Sequence, residues 1–119
     1  SWDREFVNCV LLAETKLNIE GFFKEICAIE VKVSTIKREK NNWSPREIDI
    51  DIIDWNNEII RSDDLQIPHA RMAERDFVLV PLQQILPQYE HPVSGFTVKQ
   101  ITKGLKTNDM KRTEFILAK

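Results

Sequence analysis

Two carboxylates separated by a single residue, Asp49 and Asp51, are the clearest chemistry-bearing pair in this sequence. They lie in an alternating run, residues 47–52 (EIDIDI), which predicts a β-strand with isoleucines on one face and acids on the other. Aspartates two positions apart on a strand lie about 6.5–7 Å apart along the backbone, so their side chains can converge on one hard cation. Mg²⁺ commonly takes one or two protein carboxylates and completes its shell with water and phosphate oxygens.

A basic residue precedes this run. Arg46 carries a guanidinium that can hold phosphate oxygens with two parallel hydrogen bonds. The plainer alternative is an edge strand with a solvated acidic face, which is the commoner meaning of a D-x-D pattern by itself. Three further stretches favour the first interpretation, namely residues 6–8 (FVN), 65–69 (LQIPH) and 75–82 (RDFVLVPL).

In this order the stretches resemble one family, the hydroxymethyldihydropterin pyrophosphokinases of folate synthesis. The family pattern W-G-P-R-x-[IL]-D-[IL]-D-[IL] corresponds to residues 43–52, L-x-[IV]-P-H to residues 65–69, and R-x-F-x-L-x-P-L to residues 75–82. The resemblance extends from about residue 6 to about residue 87. It is specific, because three motifs recur at the family's spacing.

The resemblance implies transfer of pyrophosphate from ATP to the hydroxymethyl group of 6-hydroxymethyl-7,8-dihydropterin, with AMP as the second product. ATP would be the co-substrate, and two Mg²⁺ ions would be held by Asp49 and Asp51. No general base stands out, so positioning and electrostatics would supply most of the rate. Two alternatives stay open: a truncated or degenerate non-catalytic module that binds nucleotide or a partner chain, and an unrelated structural domain of the same fold.

The resemblance also implies a role for several side chains. The implied catalytic residues are Arg46, Asp49, Asp51, His69 and Arg75. Nucleotide binding would involve three of these, Arg46, His69 and Arg75, together with Glu30 and Lys37. The pterin would be bound by Asn8 and sandwiched between Phe6 and Phe77, with Trp43 covering the site. Taken alone, Glu30 and Lys37 fit solvated surface charges, and His69 fits a structural or exposed position. Asn8 alone fits an amide satisfied by neighbouring backbone, and Phe77 alone fits a core position.

The clearest departures from the family lie before residue 38 and at residue 64. Val33-Ser34-Thr35 stands where L-G-R is usual, and Lys37 stands where a second arginine is usual. Asp64 takes a position that is arginine in some members. Lysine supplies charge without the two-pronged geometry of arginine, so these departures bear on nucleotide affinity more than on the type of reaction.

Hydrophobic patterning predicts the elements in the first half of the chain. Residues 6–15 read as a strand buried on both faces. Asn18 is an N-cap candidate for an amphipathic helix that reaches about Val33. The polar, basic residues 34–42 predict a mobile loop next to the carboxylate strand, and residues 54–58 predict a turn.

The second half predicts shorter elements. Residues 59–60 and 65–67 read as short strands. Residues 71–86 predict a turn followed by a helix with Pro81 early in it or at a kink. Residues 87–95 read as a loop, and Thr97 as the cap of a short helix that carries Val98, Ile101 and Leu105 on one side.

The predicted fold class is α+β, the C-terminal two-thirds of a ferredoxin-like domain, so that residues 1–119 form one incomplete pyrophosphokinase domain. The family opens with a strand, a helix and a second strand, and Phe6 aligns with its third strand. We therefore expect a companion segment beside residues 6–15. A fused folate-pathway domain is a second possible partner, because some relatives are fusions.

Composition sets limits on the class of protein. The chain has 119 residues, of which 42% are hydrophobic and 30% charged, as in one globular unit. The net charge of −2 predicts no nucleic-acid partner, and no apolar run predicts a membrane partner. Cys9 and Cys27 form no C-x-x-C pair and read as buried thiols of a cytoplasmic protein.

Overall fold

The computed structural model describes residues 7–41 and 48–105, and in residues 35–41 the backbone alone. The chain has α+β secondary structure: three α-helices, one 3₁₀ turn and a two-stranded antiparallel sheet in the described residues. It divides into two compact units. The α1 unit comprises Leu12–His69, and the α2–α3 unit comprises Ala70–Lys119 together with Ser1–Leu11.

Helix α1, Ile19–Asn41, dominates the α1 unit. Asn18 caps it as predicted, because its Oδ1 atom accepts the backbone N–H of Gly21 at 2.8 Å. The prediction of a loop over residues 34–42 is wrong for residues 34–41, which continue the helix. The basic residues read as loop are good helix formers, and no glycine or proline interrupts the chain between Gly21 and Pro45.

Residues 7–15 correct the prediction of an internal strand. They form no strand, and most of their side chains are exposed, including Leu11 at 84%. A strand needs a hydrogen-bonded neighbour, and in the part of the chain that the structure describes no backbone pairs with this segment. Cys9 is therefore exposed, and Cys27 on α1 is half-buried; neither is in a disulfide.

The predicted turn and the two predicted short strands of the α1 unit are present, and the structure pairs the strands as a hairpin. Asn56 and Asn57 both have positive φ, 51° and 56°, and the N–H of Glu58 donates to the Trp55 carbonyl at 2.9 Å. This is the backbone of a tight turn that asparagine tolerates well. Strand β1, Ile60–Arg61, then pairs with β2, Gln66–Ile67, with Ile60 opposite Ile67.

The α2–α3 unit begins with a 3₁₀ turn at Met72–Glu74, followed by α2 at Asp76–Ile85 and α3 at Val98–Lys103. Pro81 lies in the middle of α2, so the Phe77 carbonyl lacks an i+4 donor. Thr97 and Gln100 form the reciprocal cap of α3, which confirms the predicted N-cap. The two helices pack around a core whose most buried members are Met72, Leu79 and Val98.

No helix in the described ranges has both the length and the apolar character needed to cross a membrane.

Candidate active site

The carboxylate segment, residues 48–53, keeps the predicted alternation without forming the predicted strand. Ile48, Ile50 and Ile52 are half-buried, whereas Asp49 and Asp51 are exposed. The prediction of a hydrogen-bonded strand over residues 47–52 is wrong for residues 48–52, to which no strand is assigned. The alternation still directs both carboxylates toward solvent, where a cation and phosphates have access to them.

Two hydrogen bonds hold this segment from outside. The backbone N–H of Ile50 donates to Glu30 Oε2 on α1 at 2.7 Å. The backbone N–H of His69 donates to the Ile53 carbonyl at 2.9 Å. The Glu30 side chain thus occupies the Ile50 N–H, which a neighbouring strand would otherwise use. This is one physical reason why no regular strand pairing forms at this position.

A ring contact extends the same arrangement along α1. Phe22 and Trp55 lie with ring centroids 5.4 Å apart and planes tilted by 49°, a geometry favourable to aromatic pairs. Since Ile50 contacts Glu30 and Trp55 contacts Phe22, the segment runs antiparallel to the helix. Glu30 and Phe22 are eight residues apart, which is two intervals of four residues, so they share one face of α1.

His69 lies beside the second aspartate. Its Nε2 atom is 3.7 Å from Asp51 Oδ2, with 21% of the histidine side chain and 52% of the aspartate side chain exposed. The histidine follows the cis peptide bond between Ile67 and Pro68. The separation exceeds a hydrogen-bond length, and the two groups form an ion pair when the imidazole is protonated. The α1 unit therefore brings a carboxylate and an imidazole together at its surface.

Arg61 was not singled out from the sequence. Its Nη1 atom donates to the Ile67 carbonyl at 3.0 Å, and so supports the backbone immediately before Pro68 and His69. It belongs to no motif, and its position on a two-residue strand gives no periodic signal. The hairpin contact could be found only once the pairing of β1 with β2 was known.

The α2–α3 unit holds other predicted residues. Phe77 is half-buried in the first turn of α2, and the Arg75 guanidinium carbon lies 5.5 Å from the centroid of its ring. Such a contact is a cation–π interaction. Asn8, predicted to bind a pterin, is exposed on the irregular segment of residues 7–15. The structure thus places Arg75 and Phe77 together.

The remaining predicted site residues cannot be compared with this geometry. Phe6, Trp43 and Arg46 lie outside the described residues. Lys37 falls on α1, and its side chain lies outside the described part as well. Their predicted roles stay predictions.

The carboxylates of Asp49 and Asp51 are suited to a metal ion whose remaining coordination positions are filled by water and substrate. Within residues 7–34 and 48–105, where side chains are described, no group of three or more His, Cys, Asp or Glu converges on a common point. Two exposed carboxylates, Asp49 and Asp51, suit Mg²⁺ bound together with phosphates and water better than a metal enclosed by protein ligands.

A separate cavity of about 370 Å³ lies in the α2–α3 unit. It is lined by Ala73, His91, Ser94, Phe96, Gln100, Ile101 and Gly104. None of the predicted site residues lines it.

Comparison with known proteins agrees with the motifs. The family model described as 7,8-dihydro-6-hydroxymethylpterin-pyrophosphokinase (HPPK) matches residues 1–87. The chain is 42% identical over 100 residues to the folic acid synthesis protein FOL1 of Dictyostelium discoideum. The aligned region covers 84% of this chain and 15% of that protein. It is 40% identical over 95 residues to the 2-amino-4-hydroxy-6-hydroxymethyldihydropteridine pyrophosphokinase of Aquifex aeolicus. This aligned region covers 80% of this chain and 58% of that protein.

The family match covers well over half of the sequence, and so the chain belongs to the 7,8-dihydro-6-hydroxymethylpterin-pyrophosphokinase family. A folic acid synthesis protein of Pneumocystis carinii is similar too, at 36% identity over 106 residues, which are 89% of this chain and 14% of that protein. The chain thus spans little more than half the length of the Aquifex relative and about one-seventh of the length of the two folic acid synthesis proteins.

Proposed function

We propose that this chain is part of an enzyme that transfers pyrophosphate from ATP to 6-hydroxymethyl-7,8-dihydropterin in folate biosynthesis. The pterin hydroxyl oxygen attacks the β-phosphorus of ATP, the bond from that phosphorus to the oxygen bridging to the α-phosphorus breaks, and AMP leaves. The hydroxyl proton passes to solvent. The names of the curated relatives favour this activity over a non-catalytic module.

One observation carries the proposal: Asp49 and Asp51 both face solvent, and Asp51 lies 3.7 Å from His69. Two motifs that are separated in sequence therefore meet at one surface of the α1 unit. A carboxylate pair beside an imidazole is suited to a polyphosphate that arrives with its cation.

In this proposal Asp49 and Asp51 would hold two Mg²⁺ ions, which would neutralise charge on the phosphates when bound. Arg46, His69, Arg75 and Lys37 would orient the phosphates, with arginine able to contact two oxygens at once. Holding the reacting oxygen and phosphorus in line provides most of the rate enhancement when no general base is available.

Pterin binding would use flat aromatic faces and an amide. Phe77 lies in the first turn of α2, and its half-buried ring offers a face for stacking. Phe6 would supply the second face and Asn8 the hydrogen bonds, because an amide both donates and accepts. Trp43 would cover the bound substrate.

The fold that we propose for the complete domain is ferredoxin-like, with the family's N-terminal strand, helix and strand packed beside residues 7–15. The two long relatives named as folic acid synthesis proteins support a fused folate-pathway domain as a neighbour in the same chain. Two unbridged thiols, Cys9 and Cys27, accord with a reducing cytoplasm.

The direct test is AMP release by the full-length protein with ATP, Mg²⁺ and 6-hydroxymethyl-7,8-dihydropterin. We expect AMP and the pterin pyrophosphate in equal amounts, and neither product when the pterin is omitted or the metal is chelated. Release of ADP instead of AMP, or no reaction by folded protein, would reject the proposed function.

A further inference from the structure

Glu30 makes a long-range hydrogen bond that a solvated surface carboxylate would not make. It lies within α1 and 20 residues before Ile50, yet its Oε2 atom accepts the Ile50 backbone N–H at 2.7 Å. The bond is partly buried and lies at the short end of the range for a charged acceptor, about 2.7–2.9 Å. Such bonds contribute more than neutral ones.

The position of the donor is informative. Ile50 stands between Asp49 and Asp51, and its N–H belongs to the planar peptide unit that joins it to Asp49. When this N–H is held, the orientation of the peptide plane relative to α1 is restrained. The Cα atom of Asp49 lies in this plane, and the Cα atom of Asp51 follows one peptide unit later, so the bond restrains the backbone from which both carboxylates project.

The face of α1 that carries Glu30 is itself anchored. Ile26, one helical step of four earlier, is 7% exposed. Phe22, another step of four earlier, contacts the ring of Trp55 beyond the carboxylate segment. Glu30 therefore extends from a face of the helix that is held in place by packing. A side chain that positions a neighbouring segment needs such support.

We infer that Glu30 is a positioning residue: it holds the Asp49–Asp51 segment against α1 so that both carboxylates meet the metal and phosphates in a productive geometry. This role replaces the nucleotide contact that the resemblance implied for Glu30, because its Oε2 atom is engaged by the Ile50 N–H. The inference rests on the proposed function for its catalytic consequence. The hydrogen bond to Ile50 is a property of the protein without ligands and can be tested separately.

The test compares three variants of the full-length protein. Glu30→Ala removes the acceptor, Glu30→Gln keeps an oxygen that can accept the same N–H, and Glu25→Ala removes an exposed carboxylate from the same helix as a matched control. The first measurement is hydrogen exchange of the Ile50 amide without ligands. We expect it to be about tenfold faster or more in Glu30→Ala, the equivalent of the loss of one such bond. Exchange should be intermediate in Glu30→Gln, because a neutral amide oxygen is a weaker acceptor, and unchanged in Glu25→Ala.

The second measurement is AMP release as a function of Mg²⁺ and ATP. For Glu30→Ala we expect a loss of ~10–100-fold in kcat or in the apparent affinity for Mg²⁺, the range seen when groups that orient metal ligands are removed. Glu30→Gln should retain most of the activity, and Glu25→Ala all of it. If Glu30→Ala does not fold, Ile50 exchange in Glu30→Gln decides: faster exchange than in the unmutated protein supports the inference, and equal exchange overturns it.

Three outcomes would overturn the inference. They are unchanged Ile50 exchange in Glu30→Ala, a folded Glu30→Gln as impaired as Glu30→Ala, or a higher KM for ATP with kcat and Mg²⁺ dependence unaltered, which indicates direct nucleotide contact. If the protein without substitutions released no AMP, only the proposed function would be rejected. The exchange measurement would still report on the contact between Glu30 and Ile50.

Discussion

At the scale of single residues, Asp51 and His69 meet at 3.7 Å while 52% of the aspartate side chain stays exposed. A pair this accessible to water contributes less than about 1 kcal/mol to folding. Its value to the protein therefore lies in where the two groups are placed. The same holds for Asp49, which is exposed and lies one residue from the backbone amide that Glu30 accepts.

The carboxylates should matter for turnover and little for the pterin. Asp49→Ala or Asp51→Ala should lower kcat by about 10²-fold or more, as expected when charge stabilisation in a transition state is lost, and leave the Kd for the pterin nearly unchanged. The control is Asp63→Ala, an exposed aspartate in the hairpin turn. Steady-state kinetics with calorimetry measure both quantities. Near-normal turnover in either variant would rule out the proposed metal ligands.

Phe77 should act on the pterin and spare the nucleotide. Phe77→Ala removes a stacking surface worth about 0.5–1.5 kcal/mol beyond buried area, so the pterin Kd should rise several-fold or more. ATP binding should change little. Phe96→Ala provides the control, because Phe96 is 58% exposed in the same unit and outside the predicted site. Equal losses for both ligands would indicate that Phe77 supports the fold instead.

At the scale of elements, α1 is the feature most different from expectation. It reaches Asn41, so the departures from the family pattern at Thr35 and Lys37 fall on a helix. In a helix, side-chain direction is tied to the backbone with a period of 3.6 residues. The backbone at these two positions is therefore more regular than that of the mobile loop predicted from the sequence.

Ser34→Pro tests this helix. Within an α-helix proline removes a hydrogen bond and clashes with the preceding turn, at a cost of ~3 kcal/mol or more. We expect lower helical content by circular dichroism and a smaller free energy of unfolding in urea than for Ser34→Ala. If residues 34–41 formed a loop in solution, the two variants would have equal helicity.

Local chemistry explains which elements could be predicted from the sequence. The caps at Asn18 and Thr97 and the turn at Asn56–Asn57 depend on hydrogen bonds within a few residues, so their residue types were sufficient. The strands expected over residues 6–15 and 47–52 depend on partners elsewhere in the chain. An alternating pattern cannot supply these partners, although it did predict which side chains of residues 48–52 face solvent.

The candidate site divides along the same line. Motif spacing singled out Asp51 and His69, which the structure brings together. The contact between Glu30 and Ile50 joins a helix to a segment 20 residues away, and the contact between Arg61 and Ile67 depends on hairpin register. Neither has a signature in residue type, so both needed the folded chain.

At the scale of the whole molecule, the exposed side chains of residues 7–12 stand out. Val7, Leu11 and Leu12 are 66%, 84% and 68% exposed. Several large apolar side chains exposed within six residues are usually covered in a functional protein. Our proposal of a neighbouring strand from the family's N-terminal part would cover it.

Residues 1–119 expressed by themselves should therefore self-associate. We expect sedimentation to show species larger than a monomer at micromolar concentration, and Leu11→Lys with Leu12→Lys to shift the distribution toward monomer by placing charge on the segment. Val31→Lys, at a site 65% exposed on α1, is the matched control. A monomeric chain that folds cooperatively and releases AMP would contradict both this prediction and the proposed completion of the fold.

The paired asparagines after the carboxylate segment also limit how this sequence can drift over evolutionary time. With φ at 51° and 56°, Asn56 and Asn57 occupy a conformation that glycine and aspartate share and that valine or isoleucine adopt only with strain. A β-branched residue there would strain the turn, although neither asparagine side chain touches a substrate in our proposal. A survey of natural variants should find these two positions narrow in residue type while their exposed neighbour Glu58 varies freely.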